Sequence, residues 1–253
     1  MRRAALAGIA AGTILLLGFA AGARSGDEPA PVATVSADAA TANPADLLRS
    51  GTRFVDQTSF RVDVDIASQA TTVSYTDNVN KRAVATVSVS GRGIEIRMID
   101  DVVYMKTDLD LPGVGHEWMS LDPARVPSDF ALSFAAGKND PGGSARLINA
   151  VVTAQAEGLH VTGTLDATRV GAGNGISFRP GRTGTFPDSA HDQPFRATLD
   201  DQGRLVSFLI PGANGFPNAS VRYSEFGAAV EVIRPEGAVA APDALYPQLG
   251  LGG

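Results

Sequence analysis

No cysteine occurs anywhere in the 253 residues. That excludes disulfides, thiolate metal ligands and a thiol nucleophile, so burial must supply the stability. Histidine is scarce as well. His116, His160 and His191 stand far apart, and neither an H-E-x-x-H nor a G-x-S-x-G pattern accompanies them. Positive charge is not in surplus: 21 Lys and Arg face 27 Asp and Glu, for a net charge of −6. Nucleic-acid binding rewards concentrated Lys and Arg, so that class of partner is not expected. Both signs are interspersed along the chain, as on an ordinary solvated surface.

What is present begins with the N-terminus. Met1-Arg2-Arg3 is a basic start that runs into an uncharged stretch from Ala4 to Ala23, ending in the small-residue pattern Ala21-Gly22-Ala23. These features form an export signature over residues 1–23. The same stretch is long enough to act as an uncleaved anchor. Its strongly apolar part is only Ile14 to Phe19, which favours cleavage. The expected location is the extracytoplasmic cell envelope of a bacterium, secreted or membrane-associated through the N-terminus. Residues 24–43 are rich in Ala, Pro, Ser, Thr and Asp without an aromatic, the composition of a disordered tether.

Folded structure is expected over 44–235. Asn43-Pro44 opens a helix to about residue 57, with Leu47, Leu48, Phe54 and Val55 on one face. Phe60 to Ile66 then alternates apolar with charged. Period two places Phe60, Val62, Val64 and Ile66 on one sheet face and Arg61, Asp63 and Asp65 on the other. Further strands are expected at Thr71 to Thr76, Arg82 to Ser90, Gly93 to Ile99 and Val102 to Lys106, a meander with turn residues between. A short helix is expected within 122–135. Ser144 caps a helix carrying the stripe Leu147, Ile148, Val151 and Val152, with Gly158 as its stop. Leu159 to Val170 reads as a strand, and Gly- and Pro-rich 171–193 as a surface loop. Phe195 to Leu199, Arg204 to Ile210, Ser220 to Ser224 and Ala228 to Ile233 complete the strands. The tail, 236–253, is rich in Pro, Ala and Gly and is expected to fray. The fold class is α+β.

Polar residues that invite a chemical reading have simpler ones. Asp63 and Asp65 are the solvated side of a strand, while Asp100-Asp101 and Asp200-Asp201 belong to turns. Asp108-Leu109-Asp110 lacks the further ligands of a calcium loop. Gly171 to Gly175 has no helix after it and so fails as a phosphate cradle. Asn218-Ala219-Ser220 fits a glycosylation sequon but carries no weight in a bacterial chain. No catalytic residue, metal site or cofactor is expected, and the chain reads as a non-enzyme. What remains is apolar. The face offered by Val62, Val64, Ile94, Ile96, Met98, Val103 and Met105, with Leu147, Ile148, Val151 and Val152 opposite, is either solid core or the lining of a cavity.

Four stretches resemble the actinobacterial lipoprotein family of the LppX, LprA, LprF and LprG type, whose fold is related to LolA. They are the N-terminal helix leading into Thr58-Ser59-Phe60; Ile99 to Lys106 followed by Glu117 to Asp122; Val161 to Thr168; and Phe195 to Leu205, then Tyr223 to Gly227 and Val230 to Val232. The resemblance implies a single, strongly curved antiparallel sheet, a half-barrel with helices over its concave face. It implies a cavity for the acyl chains of lipids or glycolipids, and the eleven apolar residues above would line it. A non-enzymatic module of the same fold that binds another envelope protein is the alternative. Two departures stand out. The lipobox cysteine is absent, with Gly22-Ala23-Arg24-Ser25 near its place, so anchoring through cysteine is excluded. The 171–193 loop also does not look like a cavity-covering helix.

Overall fold

The computed structural model describes residues 43–111, 113–126, 132–171, 173–180, 184–249 and 251. The export signature and nearly all of the tether lie outside them. Among the described residues no helix is long and apolar enough to cross a membrane.

Twelve strands form one sheet in the order β12-β6-β5-β4-β3-β2-β1-β11-β10-β9-β8-β7. The first half is a meander: β1 (Phe60–Ile66), β2 (Ala70–Asp77), β3 (Arg82–Val89), β4 (Arg92–Ile99), β5 (Val102–Thr107) and the short β6 (Met119–Ser120). The second is another: β7 (Val151–Glu157), β8 (His160–Leu165), β9 (Gln193–Leu199), β10 (Leu205–Ile210) and β11 (Ala219–Ser224). β11 joins the halves by pairing antiparallel with β1, Val62 opposite Tyr223 and Val64 opposite Val221. Only β12 (Val239–Ala240), on β6, runs parallel. The sheet is mostly antiparallel and not closed, with few helices, consistent with the α+β curved sheet expected.

β1 follows its sequence pattern residue by residue, with every second side chain buried. Its neighbour β2 does something different on the same face. Ala70, Thr72, Ser74 and Thr76 point inward and are buried. The apolar wall is therefore interrupted by hydroxyls, and the core divides in two. The first cluster contains Phe54, Phe60, Val62, Val64, Leu147, Ile148, Phe195, Phe208 and Tyr223. The second contains Ile96, Met98, Val103, Met105, Met119, Leu121, Leu132, Leu245 and Tyr246.

Helices cover the first cluster. α1 (Pro44–Gly51) starts at the expected cap, Asn43 Oδ1 accepting from the Ala45 N–H at 3.1 Å. It ends earlier than the spacing suggested, at Gly51, and continues as a 3-10 turn over Arg53–Asp56. Gly51 is what lets α1 seat: a Cβ there would lie 3.1 Å from the Gly203 carbonyl oxygen and 2.9 Å from Leu199.

Six expectations need correction. The helix after Ser144 is short: α2 spans Ser144–Asn149, and Val151 and Val152 belong to strand β7. β-Branched Val-Val-Thr favours the pleated chain, and the stripe that fits a 3.6-residue period ends at Ile148. Gly158 is accordingly a hairpin turn residue, not a helix stop. The strand over Leu159 to Val170 ends at Leu165 and gives way to α3 (Ala167–Val170), capped by Asp166. Residues 171–193 are not merely surface, because Ile176 and Phe178 are buried in the first cluster. Ala228 to Ile233 forms no strand and joins no ladder. It crosses the outer face of the first half, the Ser59 hydroxyl donating to Ala228 O at 2.6 Å and Arg97 Nη1 to Ile233 O at 2.8 Å. The described part of the tail does not fray either. β12 pairs with β6, and Ala241, Leu245, Tyr246 and Leu249 are buried in the second cluster. Within 122–135 a single 3-10 turn, Pro123–Arg125, stands where a helix was expected, with residues 127–131 outside those described.

Candidate functional site

The second cluster borders a groove of about 570 Å³, within the size range of small-molecule sites. Its floor is the Met98–Val103 cross-strand pair, the last inward-facing pair before the β4–β5 turn. One wall is the 3-10 turn, with Pro123, Ala124 and Val126; the other carries Leu132 and Phe134. Lys81, Asp100 and Asp101 form a charged lip. Those charges are paired: Lys81 Nζ lies 3.1 Å from Asp101 Oδ1, and Arg82 Nη1 lies 3.2 Å from Asp100 Oδ1.

The C-terminal segment holds the near wall in place. Asp122 caps the turn by accepting from the Ala124 N–H at 2.9 Å, while its own N–H donates to the Tyr246 hydroxyl at 2.8 Å. Arg125 lies over the Tyr246 ring, 3.5 Å from its centroid, and pairs with Asp243. A cation held between a ring face and a carboxylate fixes both partners. The groove thus combines an apolar floor, one rigid wall and polar groups at the rim.

Of the eleven residues expected to line a cavity, Met98 and Val103 lie in this groove. Ile96 and Met105 are buried in the same cluster. Ile94 lines a separate groove of about 430 Å³ with Thr86, Glu95, Lys106, Asp108 and His116. Val62, Val64, Leu147 and Ile148 are all at most 2 % exposed, in the first cluster. Val151 packs at its margin, and Val152 faces solvent at 52 % exposure, so it lines nothing. The structure therefore separates residues that the sequence pattern assigned to one enclosure. Val126, Leu132 and Phe134 were missed as a wall. Their apolar spacing between prolines was the available signal.

Beside the first cluster lies a buried polar clasp. Asp140 accepts from the Tyr223 hydroxyl at 2.8 Å, the Ser144 hydroxyl at 2.6 Å and the Ser144 and Gly142 N–H groups at 2.7 and 3.0 Å. The N-cap of α2 is thus Gly143, not Ser144, and Asp140 accepts from the first N–H of the helix. Burial, then the charge of Asp140, pushes the Tyr223 phenol well above its ordinary range, so it stays protonated and donates. Arg146 completes the closure. Its guanidinium donates to the carbonyls of Val170, Gly171, Asn174 and Ile176. The Gly-rich loop therefore turns carbonyl oxygens inward around a cation, the opposite polarity to a phosphate cradle, which needs N–H groups.

The histidines stay apart. His160 Nδ1 is 3.3 Å from the Thr198 hydroxyl, and His191 Nδ1 is 3.1 Å from Asp166 Oδ2. Among the described residues no three His, Asp or Glu side chains are grouped to hold a metal ion.

No protein-family model matches the chain, and no curated protein matches it. Among solved structures, a DUF1329 family protein from Desulfovibrio piger aligns over 76 % of this chain and 96 % of its own, at 10 % identity and a TM-score of 0.21.

Proposed function

We propose that the protein is a non-enzymatic carrier of the bacterial cell envelope that holds lipid or glycolipid acyl chains. The observation that carries this reading is the groove floored by Met98 and Val103. Three of the chain's four methionines, Met98, Met105 and Met119, sit in the second cluster. Methionine is flexible and polarizable, and adapts its shape to irregular apolar guests. An alkyl chain entering from water gains about 0.8 kcal/mol per buried methylene, against the cost of ordering the guest. The paired charges of the lip would face the headgroup. The resemblance to LppX- and LprG-type lipoproteins supports the same reading, as does the export signature at residues 1–23, which would deliver the protein to the compartment where such lipids lie.

Native mass spectrometry of protein purified from its host tests it. The expected result is a co-purifying species carrying an alkyl chain, lost on extraction with organic solvent. Val126→Trp, which fills the groove from its wall, should abolish that species while the protein remains folded. A protein that is ligand-free from its host, and that takes up no fatty acid or phospholipid in vitro, would overturn the carrier reading. The interaction-module alternative would then stand.

A further inference from the structure

The two edges of the sheet are built differently. At one, β12 contributes two residues and is followed at once by 3-10 turns over Asp243–Leu245 and Pro247–Leu249. At the other, β7 is seven residues long, Val-Val-Thr-Ala-Gln-Ala-Glu, and pairs only with β8 among the described strands. An edge strand presents a row of unpaired N–H and C=O groups, and proteins ordinarily blunt such rows with Lys, Pro or short length. β7 has no Lys and no Pro, and its irregularity, between Val151 and Thr153, affects only its start. Thr153, Gln155, Ala156 and Glu157 are exposed, as are Val152 and, just past the hairpin turn, Leu159.

Charge decides which occupant fits. The strand's single charge, Glu157, lies at its C-terminal end, and Arg169 lies at its N-terminal end, its Nη2 donating to Asn149 O at 3.1 Å. Both side chains are exposed. We propose that β7 pairs antiparallel with β7 of a second copy of this chain, continuing the sheet across a two-fold axis. The antiparallel run brings each Glu157 to the end where the other copy's Arg169 lies, and sets no two like charges opposite one another. Ala154, Gln155 and Ala156 fall near the axis, where small and neutral side chains permit close approach. The contact is self-complementary and closes as a dimer.

The absence of native cysteine makes the test clean, because a single introduced thiol can cross-link only between copies. Of Gln155→Cys and Ala154→Cys, the one whose residue stands opposite its own copy across the axis should be oxidised to a covalent dimer at micromolar concentration, since strand pairing sets it at disulfide distance, while the copies of the other stand a diagonal step apart. Arg222→Cys, on a central strand, should stay monomeric. By sedimentation, Glu157→Lys should raise the dimer dissociation constant about fivefold or more, and Glu157→Lys with Arg169→Glu should restore it. Cross-linking no better than the central-strand control, with a monomer at about 100 µM, a concentration chosen to exceed a micromolar Kd, overturns the proposal. So does a double charge swap that fails to rescue. Protection of β7 amides in a monomer would assign the edge to another segment of this same chain, and would overturn it equally. These outcomes do not depend on any lipid, so they separate from the carrier reading.

Discussion

The two halves of this sheet share a ladder but not a way of closing. The first cluster is aromatic and polar-locked. Phe54 meets Phe60, Tyr223 and Phe226 edge-on with centroids 4.8–5.2 Å apart, and Phe195 stacks on Phe208 at 4.9 Å. Such pairs prefer fixed geometries, and the Asp140 clasp ties helix to sheet beside them. The second cluster has methionines where the first has rings, and its cover is a turn and a C-terminal segment. One half is built to be rigid, the other to adapt. The hydroxyl-bearing face of β2 is the boundary, and Thr72 Oγ1 there is buried with no hydrogen-bond partner among the described residues.

That contrast can be broken from either side. Phe208→Ala should cost most, about 4 kcal/mol by chemical denaturation, because a fully buried stacked ring leaves a void that rigid neighbours cannot fill. Asp140→Ala follows at about 3 kcal/mol, the Tyr223 hydroxyl and two backbone donors being left buried without an acceptor. Met98→Ala should cost about 2 kcal/mol, the low end for such truncations, because its site already borders open space. If Met98→Ala proves as costly as Phe208→Ala, the second half is as rigid as the first and the distinction falls.

The smallest effect is on pH. Burial raises the Asp200 carboxyl, but hydrogen bonds from the Arg204 backbone and side chain outweigh it and hold the group below its ordinary value. Asp166 is likewise held low, burial being outweighed by Thr168 and His191. A carboxylate depressed in the folded state contributes stability above its unfolded pKa of about 4, lost as pH falls through the folded value. Both groups belong to the second meander. Acid should therefore speed amide exchange around β9, β10 and α3 first. The emission of Trp118, the single tryptophan, which lies under Arg97 beside β6, should hold longer.

Much of the sheet was readable from alternation. β1 to β5 lie within a residue or two of their expected bounds, because each strand is flanked by turn residues and has one wet face. Three errors share a physical origin. Leu147 to Val152 satisfies a helical stripe, yet only its first half is helical, since periodicity over six residues cannot exclude a helix breaking into a strand. Val230 and Val232 alternate as in a strand, but alternation does not say whether a neighbour pairs with it. In the tail, Leu245, Tyr246 and Leu249 had the spacing of a helical face, hidden within Pro, Ala and Gly. The groove was half legible: Met98 and Val103 were named, and their far wall was not. Division of the core could have been suspected from Thr72, Ser74 and Thr76, whose period-two spacing is as regular as that of β1.

The crossing segment after β11 has a consequence for order in time. The first meander is the first to leave the ribosome, yet β6 acquires its parallel neighbour only when residues 239–240 arrive. Until then the second cluster lacks Ala241, Leu245, Tyr246 and Leu249. The earliest-made part of the protein is thus completed last, which exposes a greasy, pairing-competent surface throughout synthesis. Chaperoning during synthesis would matter most for that half.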